Sequence, residues 1–175
     1  NRGLVFACDP TSAGEVIKSV RGIIGGDLPI LAKLTPDVTN IASIASSVTD
    51  AGADGIAMIN TVLGMVINTK TMRPHLGGKT GGLSGPAIRP IAVRAIYQVR
   101  QAIPNVSILG MGGVASGKDA FEMLLAGASG VSVGTASFGD PSAVYRIQNE
   151  LREILIAKGF DSVKDAVGYA HREHS

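Results

Sequence analysis

The sequence predicts an α/β fold of successive βα units with parallel strands. Short apolar runs rich in β-branched residues recur along the chain, each followed by a polar or Gly-rich loop and then by a longer segment of helical period. The composition agrees. Of 175 residues, 45% are hydrophobic, 17% charged and only 4% aromatic, which suits one globular unit whose core is built from small aliphatic side chains.

In chain order, a leading helix is predicted from Pro10 to Ile24, with Asp9-Pro10 as its cap and first-turn signal. The first strand is Pro29 to Leu34, and apolar residues at helical spacing follow from Asn40 to Ala51. A second strand, Gly55 to Asn60, leads into the one long interruption, Val62 to Gly82. This carries five glycines with Lys70, Arg73, His75 and Lys79 and is read as a long functional loop. A helix from Ala87 to Ile103, a strand from Val106 to Met111, a helix from Gly117 to Ala126 and a strand from Gly130 to Gly134 continue the alternation. Ala51-Gly52-Ala53 and Ala126-Gly127-Ala128 read as helix stops. The last long helix runs from Pro141 to Ala157, and Phe160 to Ser175 reads as a short terminal helix and polar tail. No internal linker or charge block divides the chain.

Several function classes are disfavoured. The net charge is only +2 and no basic run could neutralise a nucleic-acid backbone. Apolar stretches break well before the roughly 18 residues that a spanning helix needs, so a soluble protein is expected. The single cysteine, Cys8, permits no internal disulfide and no Cys-rich metal site, which points to a reducing compartment such as the cytoplasm. The chain opens Asn1-Arg2-Gly3 with neither Met nor a charged-then-apolar leader, and the expectation is that residues are missing upstream.

Four βα units with a leading helix are compatible with a small open sheet or with the second half of a (β/α)8 barrel, whose full length is about 250 residues. Glycines at strand ends, and Gly-rich turns after the last two strands, favour the barrel, where the seventh and eighth βα loops frequently form a phosphate site. A half-barrel exposes two parallel edge strands, so either the other half or dimeric closure is expected.

The candidate site residues follow from the same turns. Gly110-Met111-Gly112-Gly113-Val114 and Gly134-Thr135-Ala136 allow backbone N–H groups to approach one phosphate; as bland features they are tight strand–helix turns. Ser84-Gly85-Pro86 opens a helix and could cradle an anion or a ring edge, or simply cap it. Lys33 interrupts an apolar strand, where a buried ammonium is costly without a partner. It suits stabilisation of negative charge on a substrate or cofactor, with a structural salt bridge as the alternative. Asn60-Thr61 pairs an amide with a hydroxyl, able to hydrogen-bond a planar ligand or merely to end a strand. Cys8, in Leu4-Val5-Phe6-Ala7-Cys8, is read as a small buried hydrophobe, His75 as a solvated loop residue, and His171 and His174 as parts of the tail. No metal-ligand spacing is present.

Taken together, Lys33-Leu34-Thr35-Pro36 with Val38-Thr39, Met58-Ile59-Asn60-Thr61, Gly81-Gly82-Leu83-Ser84-Gly85-Pro86, Gly110 to Val114 and Val133 to Ala136 resemble the dihydroorotate dehydrogenases. The resemblance is specifically to the NAD-linked type (class 1B), in which a flavin-containing catalytic subunit works with an iron–sulfur electron-transfer subunit. It covers nearly the whole chain and implies a (β/α)8 TIM barrel with FMN at its C-terminal mouth, these residues forming the C-terminal half. By motif position it implies that Lys33 faces the pyrimidine end of the flavin and that Ile59 and Gly85 line it. Gly112, Gly113, Gly134 and Thr135 would hold its phosphate, and Asn60 and Thr61 would contact dihydroorotate or orotate. The catalytic base, a Cys, is expected just upstream of Asn1, so the isolated 175 residues should not turn over. The resemblance further implies a homodimer, with FAD and a 2Fe–2S cluster only on the partner subunit; a related class uses fumarate instead. Competing expectations are a dihydropyrimidine dehydrogenase flavin domain, a barrel acting on a sugar phosphate, and a non-catalytic binding module.

Overall fold

The computed structural model describes residues 6–172. Helix α1 (Pro10–Ile24) leads into strand β1 (Leu31–Leu34), helix α2 (Ile41–Asp50) and strand β2 (Gly55–Met58). After an excursion come helix α3 (Arg89–Ala102), strand β7 (Ser107–Met111), helix α4 (Gly117–Ala126) and strand β8 (Gly130–Ser132). The four strands form one parallel sheet in the order β1-β2-β7-β8, so each neighbour in space is the next βα unit in sequence.

Local chemistry explains where the helices begin. Asp9 caps α1 by accepting the N–H of Ser12 at 2.7 Å, and Pro10 follows as the first helical residue. Asn40 and Ser116 do the same for α2 and α4. The helix exits carry a repeated device. Arg21 donates to Gly52 O at 3.1 and 2.8 Å and pairs with Asp54, while Arg100 donates to Gly127 O at 3.0 and 2.7 Å. In both cases a helix is tied to the turn that follows the next helix in the chain. Gly52 and Gly127 have φ of +105° and +122°, and a Cβ on Gly127 would lie 2.6 Å from Arg100 Cβ.

The register sets Ala32, Ile56 and Ile108 in one row and Leu34, Met58, Gly110 and Val131 in another. The first row and most of the second are buried against the apolar faces of the helices, among them Ile44, Val48, Ala92, Ile96, Val99 and Met123. On the alternate face Leu31, Lys33 and Ser107 are exposed, while the small Gly55 and Ala57 between them are buried. This corrects the expectation of a buried Lys33 ammonium. Its strand alternates, and the lysine lies on the open side.

Other expectations are also corrected. The segment after β2 is not a plain loop: β3 (Val62–Gly64) pairs antiparallel with β6 (Gly81–Leu83), and β4 (Ile67–Asn68) pairs with β5 (Arg73–Pro74). Its glycines and cations had masked that pairing. The strands are shorter than their apolar runs, since Pro29–Ile30, Ile59–Asn60, Val106 and Val133–Gly134 leave the ladder. Pro86–Ile88 is a separate 3-10 turn before α3, and the predicted Pro141–Ala157 helix starts later, as α6 (Ala143–Ala157), behind the unpredicted short helix α5 (Ala136–Gly139).

Residues 6–8 are helical and Cys8 is exposed, its thiol 3.7 Å from Asp37 O, so it is not the buried hydrophobe its apolar neighbours suggested. The tail forms α7 (Val163–Ala166) and a 3-10 turn, Tyr169–His171, where His171 stacks on Tyr97 and its Nε2 lies 3.0 Å from Ala126 O. Asn1 to Gly3 and His174, discussed above, lie outside the described residues.

Candidate functional site

All four sheet strands point their C-terminal ends toward one hollow of about 250 Å³. Its wall is assembled from separate βα units: Lys33 on β1; Ile59, Asn60 and Thr61 after β2; Ser84, Gly85 and Pro86 at the end of the ribbon; Gly112 and Gly113 after β7; Gly134 and Thr135 after β8. Every residue expected to touch the cofactor or substrate therefore borders the same space, whereas Gly110 of the same motif faces Ala128, Ile96 and Met123. Ile88, Met111, Val114, Ala115 and Ala136 also line it, and among the described residues Lys33 is its only side chain with an ordinary acid–base function.

The polar groups are held by backbone pairing. The N–H of Ile59 donates to Met111 O at 3.0 Å and that of Asn60 to Leu34 O at 2.9 Å, which extends the sheet beyond its last paired residues. The Met58–Ile59 peptide is cis. Lys33 Nζ donates to Asn60 Oδ1 at 3.4 Å, leaving the amide nitrogen of Asn60 as the donor available to a ligand. Thr61 rests on Gly82: a Cβ there would fall 2.2 Å from Thr61 Oγ1, so the hydroxyl keeps its place only because residue 82 has no side chain.

Opposite, the turns after β7 and β8 present main chain. Gly112 and Gly113 adopt φ of +123° and +78°. A Cβ on Gly113 would approach Gly85 O to 2.8 Å and Arg89 N to 2.9 Å, so this glycine is required by the packing of turn against turn. Among the described residues, the N–H groups of Gly113, Val114, Thr135 and Ala136 have no hydrogen-bond acceptor, and all four residues line the hollow. Convergent unpaired amides of this kind can bind an anion.

Ion pairs outside the lining brace these turns. Arg89 reaches Asp119 at 2.5 Å and Glu122 at 2.9 Å, and Asp119 accepts the N–H of Ala115 at 3.0 Å. Glu150 accepts the N–H of Gly117 at 2.6 Å and pairs with Arg146 at 2.8 Å. The Gly117 amide, seconded by Arg146, holds the Glu150 carboxyl below the usual carboxylate range. Arg146 also pairs with Asp140, whose carboxyl is lowered by Ser142 and then by Arg146. Sequence reading missed this bracing, whose partners lie far apart in the chain. The residue types were visible, but their pairing was not.

Among the described residues no group of three or more His, Cys, Asp or Glu is placed to hold a metal, and no helix is long and apolar enough to cross a membrane. Cys8, His75 and His171 do not line the hollow.

Comparison with known proteins agrees with the motifs. The family described as "Dihydroorotate dehydrogenase" matches residues 5–155. The chain is 47% identical over 166 residues to the "Dihydroorotate dehydrogenase B (NAD(+)), catalytic subunit" of Bacillus pumilus, covering 95% of this chain and 53% of that protein. Proteins of the same name from Oceanobacillus iheyensis and Bacillus thuringiensis are 46% and 43% identical, covering 94% and 98% of this chain and 53% and 54% of theirs. The chain thus spans about half the length of the curated relatives it matches. Among solved structures, a dihydroorotate dehydrogenase from Eimeria tenella, in complex with ferulenol, matches with a TM-score of 0.70 at 30% identity, over 83% of this chain and 39% of that one. These matches accord with a partial (β/α)8 barrel.

Proposed function

The chain belongs to the dihydroorotate dehydrogenase family, and from that premise we propose that its hollow grips the phosphate and one side of an FMN while presenting Asn60 and Thr61 to dihydroorotate. The reaction is oxidation of dihydroorotate to orotate, a step of de novo pyrimidine synthesis. The observation that carries this reading is the convergence of Lys33, Asn60 and the two glycine turns on one space.

The residues fit such a cofactor. Gly134 has an ordinary φ and a Cβ built on it would have no neighbour within 4 Å, so its bareness is not demanded by the protein's own packing and leaves room for a ligand. Gly85 is likewise open on its Cβ side. The amides of Gly113, Val114, Thr135 and Ala136 supply donors for a phosphate, with Gly112 shaping their turn. Ile59 and Gly85 line the ring, and the Lys33 ammonium sits where negative charge on its pyrimidine side would be stabilised. FMN, when bound, supplies the acceptor for the substrate's hydride. Asn60, oriented by Lys33, offers N–H to a carbonyl or carboxylate of the substrate, and the Thr61 hydroxyl can donate or accept beside it.

The proton next to the substrate carbonyl needs a base, and we assign that role to a Cys supplied from outside these 175 residues. Because the relatives are named catalytic subunits of an NAD(+) enzyme, the proposal extends to a partner subunit carrying FAD and a 2Fe–2S cluster as the route for electrons, to a homodimer of the catalytic chain, and to a cytoplasmic setting.

The test uses the full-length gene product. Flavin absorbance on purification, a spectral perturbation on adding orotate, and anaerobic bleaching by dihydroorotate are expected; fumarate should fail to reoxidise the flavin rapidly. Bleaching only by dihydrouracil would favour the dihydropyrimidine reading. A colourless protein that binds a sugar phosphate would overturn the proposal.

A further inference from the structure

We infer that Asp37, which does not line the hollow, is a positioning residue that tethers the ribbon and thereby sets the geometry of Asn60 and Thr61. The inference rests on the reading of those two residues as ring contacts. Asp37 lies in the turn after β1, four residues beyond Lys33, and its carboxylate accepts the N–H of Leu63 at 3.3 Å (Oδ1) and 3.2 Å (Oδ2). Its own N–H donates to Thr35 Oγ1 at 3.2 Å, and that hydroxyl donates back to Oδ2 at 3.4 Å. Thr35 is buried, so the carboxylate is aimed from a fixed base.

Leu63 is the middle residue of β3, two beyond Thr61, and pairs across the ribbon with Gly82, the glycine on which Thr61 rests. The segment is therefore tied to the β1 turn at two points, by Asn60 N to Leu34 O at 2.9 Å and by Leu63 N to Asp37. Asn60 and Thr61 stand at and just beyond the first tie, and the second fixes their direction. Without Asp37, the chain beyond Asn60 would be held by the packing of Val62 on the core and by a short ribbon whose outer part, from Thr69 to Thr80, is wholly exposed. The stretch from Thr61 to Leu83 contains no Asp or Glu, so no carboxylate of the ribbon can take over.

In the full-length, flavin-loaded protein, Asp37→Ala should raise KM for dihydroorotate and weaken orotate binding about tenfold, as loss of a hydrogen bond to a charged group implies, with kcat within about twofold and flavin content unchanged. Asp37→Asn retains an acceptor oxygen for Leu63 and should recover most of the affinity. Orotate affinity unchanged in Asp37→Ala, or lost to the same degree in both variants together with flavin, would overturn the inference. Amide hydrogen exchange at Leu63 separates the two levels. It should quicken in Asp37→Ala with or without orotate, and unchanged exchange sinks the tether, whereas a parent protein that gives no orotate perturbation sinks the proposed function.

Discussion

The guanidinium of Arg89, at the first residue of α3, lies 2.5 Å from Asp119 in the first turn of α4, and the other oxygen of Asp119 takes the N–H of Ala115 at 3.0 Å. One carboxylate thus joins two helix starts to the glycine turn between β7 and α4. It is nearly buried while Arg89 is about one-third exposed, so its removal leaves a cation that water can partly reach. Asp119→Ala should lower stability by about 1–3 kcal/mol, the cost of losing a hydrogen-bonded charged partner, measured by urea unfolding. Because the turn that loosens carries Gly113 and Val114, FMN affinity of the full-length protein should fall as well. A variant that lost neither would show the turn to be braced by something else.

The two glycine turns should respond to substitution in opposite ways. Gly113 has φ +78° and no room for a Cβ, so Gly113→Ala should cost about 1–3 kcal/mol in backbone strain, before counting its overlap with Arg89. Gly134 has room, so Gly134→Ala should change stability by less than about 0.5 kcal/mol. Gly134 borders the hollow, however, so FMN binding should weaken. Thermal melts paired with fluorescence quenching of FMN distinguish the two; a Gly134→Ala protein that binds FMN as before would argue that the phosphate lies elsewhere.

Acid should loosen the brace between α4 and α6. The Glu150 carboxyl is depressed below its ordinary value near 4.5 by the Gly117 N–H and then by Arg146. Its contribution is therefore complete above about pH 4.5 and is lost as the pH falls through the lower folded-state value. Glu150→Gln should melt lower than the parent at pH 7, and the gap should narrow toward pH 3. Gly117→Ala should be harsher at every pH, since its Cβ would sit 2.4 Å from Glu150 Cβ and 2.5 Å from Leu151 N. Melting curves at stepped pH read both; a gap that widened in acid would contradict the sign.

Local signals were legible where the deciding residues are close in sequence. Asp9-Pro10 places the start of α1, and Gly127 ends α4, as the cap geometry of each requires. The convergence of Lys33, Asn60, Gly112 and Gly134 was legible too, because parallel βα units put every strand's C-terminal end on one side. What escaped depends on distant partners. The pairing of Leu63 with Gly82 joins residues across a stretch of glycines and cations. The exposure of Lys33 and Cys8 depends on what covers each residue in space, which apolar neighbours in sequence do not report.

The lining of the hollow bears directly on turnover. Forming the double bond of orotate requires that a proton be taken from the carbon next to the ring carbonyl while hydride leaves the adjacent carbon, and a positioned base contributes about 10²–10⁴-fold to such a step. Among the described residues Lys33 is the one lining side chain with ordinary acid–base chemistry, and its Nζ donates to Asn60 Oδ1, in keeping with the charge-stabilising role proposed for it. Cys8 is tied to Asp37 O outside the lining, so it cannot stand in. The 175-residue chain, loaded with FMN, should therefore bleach with dihydroorotate at least about a hundredfold more slowly than the full-length protein, and Cys8→Ser should leave both rates unchanged. Stopped-flow absorbance under anaerobic conditions measures both. Equal rates would place the base among these residues and force a different assignment for Lys33.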